Sequence, residues 1–286
     1  MSSPVSSQVG AAEQALRQGN LDLALQQLQD GVRAHLADVK LRIFLFQLLC
    51  VKGEWGRALK QLEVCGNLDA GTLAMVSTYR DAIQCEAVRV AVFAGQTTPM
   101  VMGQPQAWVA QLVEALMAEG RGEPALAAHL RALALESAPA TRGTLNGEPF
   151  AWIADADSRL GPVLEVIVNG RYSWAPFSSL TRVTFEAPTD LRDMVWLPAA
   201  LEFPNGGGTV ALVPTRYAPM PPGASAMLQL ARLTEWEAMS DGQYRGLGQR
   251  LLTTDSTELG QLQARELRLD GASPAALANP AEPAAA

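Results

Sequence analysis

Asp155, Asp157, Arg159 and Glu165 form the one group of side chains in this sequence whose types and spacing suit chemistry. Two carboxylates two residues apart could share a divalent cation, or hold their pKa values apart for acid–base work. The competing reading is structural: Asp side chains accept backbone N–H bonds at loop corners, and Arg159 neutralises one of them at close range. The structural reading carries more weight, and a metal- or carboxylate-dependent enzyme built on Asp155 and Asp157 stands as the alternative. Other reactive groups are scarce. His35 and His129 fall in helical context and outside any H-E-x-x-H spacing. No G-x-x-x-x-G-K-[ST] phosphate loop occurs, "GLGQRL" from Gly246 lacks a third glycine, and "GASAM" around Ser225 lacks the second glycine of a nucleophile elbow. Cys50, Cys65 and Cys85 make an odd count without C-x-x-C spacing and read as buried, reduced thiols. No catalytic residue, metal ligand or cofactor site is assigned, and the chain reads as non-enzymatic.

The elements around the carboxylates mark a junction. In "FAWIADADSRLGPVLEVIVNGRYSWAPF", from Phe150 to Phe177, Trp152 and Ile153 precede the acidic pair and Gly161-Pro162 breaks the chain after it. Val163, Glu165 and Ile167 then alternate with Leu164, Val166 and Val168, which is strand periodicity. Asn169-Gly170 predicts a two-residue hairpin turn, because both residues tolerate the positive φ that such a turn demands. Trp152, Trp174, Trp196 and Trp236 read as core or interface filler.

Upstream, residues 8–140 suit helices joined by short Gly-containing turns. Gly19 and Gly53 lie 34 positions apart, and "GNLDLALQQL" aligns with "GEWGRALKQL", matching Ala24 with Ala58. That is the tetratricopeptide period. Each Gly is expected to end one helix in the left-handed conformation, with the small Ala of the next helix packed against it. A looser third copy follows Gly120, at Ala125-Leu126. "GQTTPMVMGQPQ", from Gly95 to Gln106, reads as an inter-helix connection, with a partner-contact loop as the rival reading.

Downstream, residues 150–270 read as a mostly antiparallel β domain, expected to form a small closed or curled sheet. Strands are expected around Thr181–Phe185 and in "MVWLPAALEF", with Pro198 at an edge or bend. "MLQLARLTEWEAM" leans to strand, and "YRGLGQRLLTT" with "GQLQARELRL" reads as two arms of a hairpin. The fold class is α+β in two domains, a TPR-like helical hairpin array before the β domain, with residues 1–7 and the Ala/Pro tail 271–286 expected to be disordered. The formal net charge of −7, without blocks of like charge, argues against nucleic acid and anionic lipid as partners. The start lacks a signal-peptide pattern and no apolar run approaches the roughly 20 residues of a membrane span, so a cytoplasmic location is expected.

With these segments in hand, the chain resembles the ImpE family, also called TagJ or SciE-type proteins, accessory proteins of bacterial type VI secretion. The likeness rests on "GNLDLALQQL", "WIADADSRLGPVLEVIVNGRYSWAPF", "APTDLRDMVWLPA", "LARLTEWE" and "GLGQRLL", which occur in one order from about Gln8 to Leu269. The resemblance implies a cytoplasmic, non-enzymatic adaptor of the contractile sheath that binds the N-terminal helix of the small sheath subunit. It also implies systems whose spent sheath is recycled by a ClpV-type AAA+ ATPase, a possible second partner. No catalytic residues carry over. A stacked helical array offers a face on which such a partner helix could lie, with the helical domain favoured as its seat.

Overall fold

Three helical hairpins of one design open the chain in a computed structural model that describes residues 4–240 and 242–270. They are α1 (Pro4–Arg17) with α2 (Leu21–Ala34), α3 (Val39–Val51) with α4 (Trp55–Leu68), and α6 (Ala107–Gly120) with α7 (Pro124–Ser137). Between the second and third hairpins runs the longer α5 (Leu73–Phe93). Each hairpin turns at a glycine of positive φ, Gly19, Gly53 or Gly122. The N–H of the residue after that glycine bonds five residues back, Asn20 to Ala15, Glu54 to Leu49 and Glu123 to Ala118, closing the first helix of each pair.

This geometry corrects two expectations. The third copy turns at Gly122 rather than Gly120, so the buried Ala matching Ala24 and Ala58 is Ala127, while Ala125 is exposed. Nor does the repeat glycine exist to admit its alanine: a Cβ at Gly53 would meet nothing within 4 Å, so it is φ alone that selects glycine there. Ala24 and Ala58 are wholly buried. Residues 4–7, expected with the disordered start, lie in α1, whose first residue is a proline preset to helical φ. Residues 1–3 and the tail 271–286 lie outside the described residues. Among those residues no helix is long and apolar enough to cross a membrane.

The β part begins with β2 (Gly143–Leu145), β3 (Glu148–Phe150) and β4 (Ile153–Asp155). It continues through β5 (Val163–Val168), β6 (Arg171–Pro176), β7 (Arg182–Phe185), β8 (Trp196–Glu202) and β9 (Gly208–Pro214). After a short α8 (Ala226–Gln229) come β10 (Thr234–Ala238), β11 (Tyr244–Gly248), β12 (Leu251–Thr254), β13 (Glu258–Gly260) and β14 (Glu266–Leu269). A nine-stranded sheet takes the order β1-β6-β5-β9-β8-β7-β14-β2-β3, where β1 (Met100–Val101) comes from the helical half and pairs parallel to β6. The segment Gly95–Gln106 is therefore more than a connection, since its centre extends the sheet. β12 joins β13 and β4 in a three-stranded sheet, and β10 with β11 forms a separate ribbon.

Four further expectations change. β14 returns to lie between β7 and β2, so the last segment is not the second arm of a hairpin with β11 and β12. "MLQLARLTEWEAM" is one helical turn and then β10, because Ser225 caps α8 and Ala231 takes positive φ between the two. Pro198 sits inside β8; its missing N–H faces Glu186, one residue beyond the end of β7, whose own N–H still bonds the Pro198 carbonyl at 2.9 Å, so the proline costs the ladder one bond at its end. Trp174 and Trp196 are fully buried, whereas Trp152 and Trp236 are each 39% exposed and fill no core.

The helices and the helix-facing side of the sheet share one apolar core, in which Leu45, Phe46, Ile83 and Phe93 meet Val163, Ile167, Trp174, Trp196 and Leu212. The sheet's other face carries Leu164, Val166, Phe177, Leu197 and Val213 against Ile153 and Leu252 of the three-stranded sheet. Both faces of β5 are thus buried, and Glu165 lies in the middle of it.

Candidate functional site

Asp155 ends β4, and the chain turns through residues 156–162 into β5. Both carboxylates of the sequence-predicted pair are buried, Asp155 to 3% exposure and Asp157 to none. Asp155 accepts the N–H of Asp157 at 2.8 Å and the Nε–H of Arg250 at 2.8 Å. Asp157 accepts the N–H of Arg159 at 2.9 Å, the Nη2 of the same guanidinium at 2.6 Å, and the N–H of Gly246 at 2.9 Å. Arg159 donates onward to the Ala218 carbonyl, and its guanidinium lies 4.6 Å from the centre of the Phe93 ring on α5. Every carboxylate oxygen of the pair is occupied by an N–H from this chain. That arrangement is the structural reading of the pair, two buried carboxylates turning the chain and held by guanidinium and backbone N–H groups, and it gives the alternative of a metal or acid–base pair no support. Among the described residues no three His, Cys, Asp or Glu side chains gather to hold a metal ion.

Gly161 and Pro162 complete the corner. Gly161 has φ +55°, and a Cβ there would lie 2.3 Å from the Leu135 side chain of α7. At Asn169 and Gly170, φ values of 49° and 70° close the β5–β6 hairpin, and Asp81 of α5 abuts Gly170.

Glu165 is the hub that sequence reasoning weighed only as a third carboxylate. It receives Arg89 of α5 through two bonds of 2.7 and 2.9 Å, Arg250 at 3.1 Å, and the Tyr172 hydroxyl at 2.5 Å. Trp174 donates to the Tyr172 oxygen at 2.8 Å, and Trp196 donates to Glu86 of α5 at 2.8 Å. Arg89 also reaches the Arg216 carbonyl at 2.6 Å, while Arg216 holds the Val51 and Gln229 carbonyls at 2.7 and 2.6 Å. Burial by itself would raise the Glu165 carboxyl; Arg89 and Arg250, with hydrogen bonds from Arg89 and Tyr172, outweigh it and hold the group at about 2. At Asp155 burial prevails over Arg250 and pushes the carboxyl up to about 6. Burial likewise lowers Arg216, to about 10, because its nearest hydrogen-bond partners are neutral carbonyls.

The seam thus contains four guanidinium groups, Arg89, Arg159, Arg216 and Arg250, against four carboxylates, Glu86, Asp155, Asp157 and Glu165. It is balanced in charge, and its chemistry is to fix α5 on the sheet. A lone Glu in a strand buried on both faces is the signal that could have pointed to it, because a buried charge demands partners.

Surface able to act lies beside this seam. A groove of about 530 Å³ runs between the N-terminal half of α5 (Ser77, Tyr79, Asp81) and the sheet (Ile167, Pro198, Ala200, Val210, Leu212). β8 and β9 are inner strands, and α5 packs over only part of their helix-facing side. Beyond it Val210 is 76% exposed and its cross-strand neighbour Ala200 is also exposed. A second cleft, of about 560 Å³, opens between α1, α3 and the 188–194 loop, with Ile43, Phe44, Leu191 and Met194 half-buried in its wall.

The family model for the ImpE protein matches residues 147–268, which contain the acidic corner, the hub and most strands of the sheet. The type VI secretion system accessory component TagJ of Pseudomonas aeruginosa is 54% identical over 258 residues, covering 90% of this chain and 90% of that protein. The crystal structure of protein VPA1032 from Vibrio parahaemolyticus matches with a TM-score of 0.83 at 24% identity, over 92% of this chain and 99% of that one, a likeness of fold.

Proposed function

The chain belongs to the ImpE family of type VI secretion accessory proteins, and from that premise we propose that it is a non-enzymatic cytoplasmic adaptor of the contractile sheath. Its partner in this reading is the N-terminal helix of the small sheath subunit, and its site is the groove between α5 and the sheet. The observation that carries the reading is the bare part of the face of β8 and β9. An inner strand keeps its apolar face covered by a packed layer, and α5 supplies only part of that layer, leaving Val210 and Ala200 exposed. A partner helix laid alongside α5 would complete it, placing an apolar stripe over Val210, Ala200 and Pro198. Association with sheath assembly or with ClpV-dependent recycling follows from what that helix belongs to.

The carboxylate-based enzyme has no support in this arrangement, because Asp155 and Asp157 are spent on Arg250, Arg159 and backbone N–H groups. Titration calorimetry of the full chain with the isolated sheath-subunit helix tests the adaptor. Val210→Asp leaves the fold intact, since Val210 is 76% exposed, and is expected to weaken binding at least about tenfold by putting a charge against an apolar stripe. Equal affinity for the parent and Val210→Asp would remove the groove from the reading.

A further inference from the structure

The second cleft differs from the first in its charge. The sheet groove has Asp81 and Glu186 as its charged lining residues. The cleft between α1, α3 and the 188–194 loop is lined by Arg17, Lys40 and Arg232, with Glu13 and Asp190 as the opposing charges. Asp190 is paired with Arg192 at 2.5 Å. Arg17, Lys40 and Arg232 are exposed and form no ion pair among the described residues; exposed cations elsewhere are paired in some cases, as Arg33, Arg57, Arg121, Arg245 and Arg268 are, and unpaired in others, as Lys60, Arg80, Arg142, Arg171 and Arg265 are, so what marks the cleft is that three of them line one concavity. In a chain of net charge −7, three unpaired cations around one apolar wall are a local reversal of sign.

The walls are set in advance. Residues 191–194 form a single helical turn fixed by a capping box in which Asp193 accepts the N–H groups of Thr189 and Asp190, each at 2.8 Å. The Leu191 N–H reaches the Gln47 side chain of α3 at 3.2 Å. Arg232 is held on the last carbonyls of α1, at Leu16 and Arg17. A cleft that keeps half-buried Ile43, Phe44, Leu191 and Met194 between fixed walls pays little to order itself on binding.

We propose that this cleft is a second docking site, which takes a peptide segment presenting apolar anchors with carboxylates beside them. The anchors fill the space over Phe44 and Met194, and the carboxylates meet Arg17, Lys40 and Arg232. A flat anionic surface fits less well, because the apolar wall lies inside a concavity. With the sheet groove, the chain then carries two sites of opposite charge and can join two different segments.

The test uses the full chain carrying Val210→Asp, to silence the sheet groove, and two labelled synthetic helical peptides. Both have the same leucine stripe; one carries Glu along both flanks and the other Lys. Fluorescence anisotropy at low salt should show the Glu peptide binding roughly tenfold more tightly than the Lys peptide, and the gap should shrink at high salt as the rim charges are screened. The double variant Arg17→Glu/Lys40→Glu changes two exposed side chains outside the core and should reverse the order. Phe44→Ala should weaken both peptides, with circular dichroism as the check that the helices persist. Equal affinity for the two peptides, an order unmoved by the charge reversal, or no binding by either one would overturn the proposal.

Discussion

Glu165→Gln isolates what the buried seam contributes. The substitution keeps the shape of the side chain and removes one negative charge at a fully buried point, leaving Arg89 and Arg250 short of a counter-ion. Two routes give its size. Breaking a buried pair by removing one partner costs about 3–5 kcal/mol. The Glu165 carboxyl is also held at about 2 against an ordinary 4.5, a difference equivalent to about 3 kcal/mol of preference for the ionised form in the folded state. The sign follows from linkage: a carboxyl whose folded pKa is depressed stabilises fully above its unfolded value, near pH 4.5, and loses that contribution as pH falls towards 2. Urea unfolding at neutral pH should therefore show a loss of about 3 kcal/mol, and thermal unfolding a drop of roughly 6–12 °C for a chain of this size. The acid-induced loss of stability below pH 4.5 should flatten in the variant. Asp155→Asn is the internal control. Burial holds Asp155 at about 6 against an ordinary 3.8, so its ionised form already works against folding at neutral pH, and the amide should be the milder change. A Glu165→Gln variant within about 1 kcal/mol of the parent, with an unaltered acid limb, would show that the seam is not what fastens α5 to the sheet.

Two further outcomes separate backbone conformation from space. Gly53→Ala places a Cβ in open space at φ +70° and should lose about 1 kcal/mol, the strain of the left-handed conformation alone. Gly95→Ala, at φ +68°, would in addition bring a Cβ to 2.3 Å from the Leu116 carbonyl, so its urea midpoint should fall well below that of Gly53→Ala. At Gly246 a Cβ would land 2.2 Å from the Tyr217 ring, which stacks at 5.6 Å on Trp236 and accepts the Leu251 N–H through its hydroxyl. Gly246→Ala should destabilise by about 1–3 kcal/mol and shift the tryptophan emission as that stack opens; unchanged emission would mean that the ring moves aside freely.

Features governed by neighbours in the chain could be read directly from residue types. Gly19 and Gly53 end their helices because left-handed φ is a property of one residue, and Asn169-Gly170 turns β5 into β6 for the same reason. The change from a period near four to a period of two locates the passage from helices to strands. The Asp157–Arg159 bond is similarly short-range, two positions apart. Misreadings gathered where distant segments compete for the same backbone. β14 leaves its neighbours in sequence for β7 and β2, and Met100–Val101 leaves a loop for the edge at β6.

The amino-acid sequence by itself determined the helical hairpins, the strand periodicity, the acidic corner at Asp155 and Asp157, and a resemblance that named the family. Only the tertiary structure decided that Glu165 is the hub, because its partner Arg89 stands 76 residues away and no local pattern encodes which buried cation will meet which buried carboxylate. The same holds for the two grooves. Val210 and Phe44 look alike as apolar residues in regular elements, and what makes one bare and the other half-covered is how far α5 extends over the sheet and where the 188–194 loop comes to rest against α3.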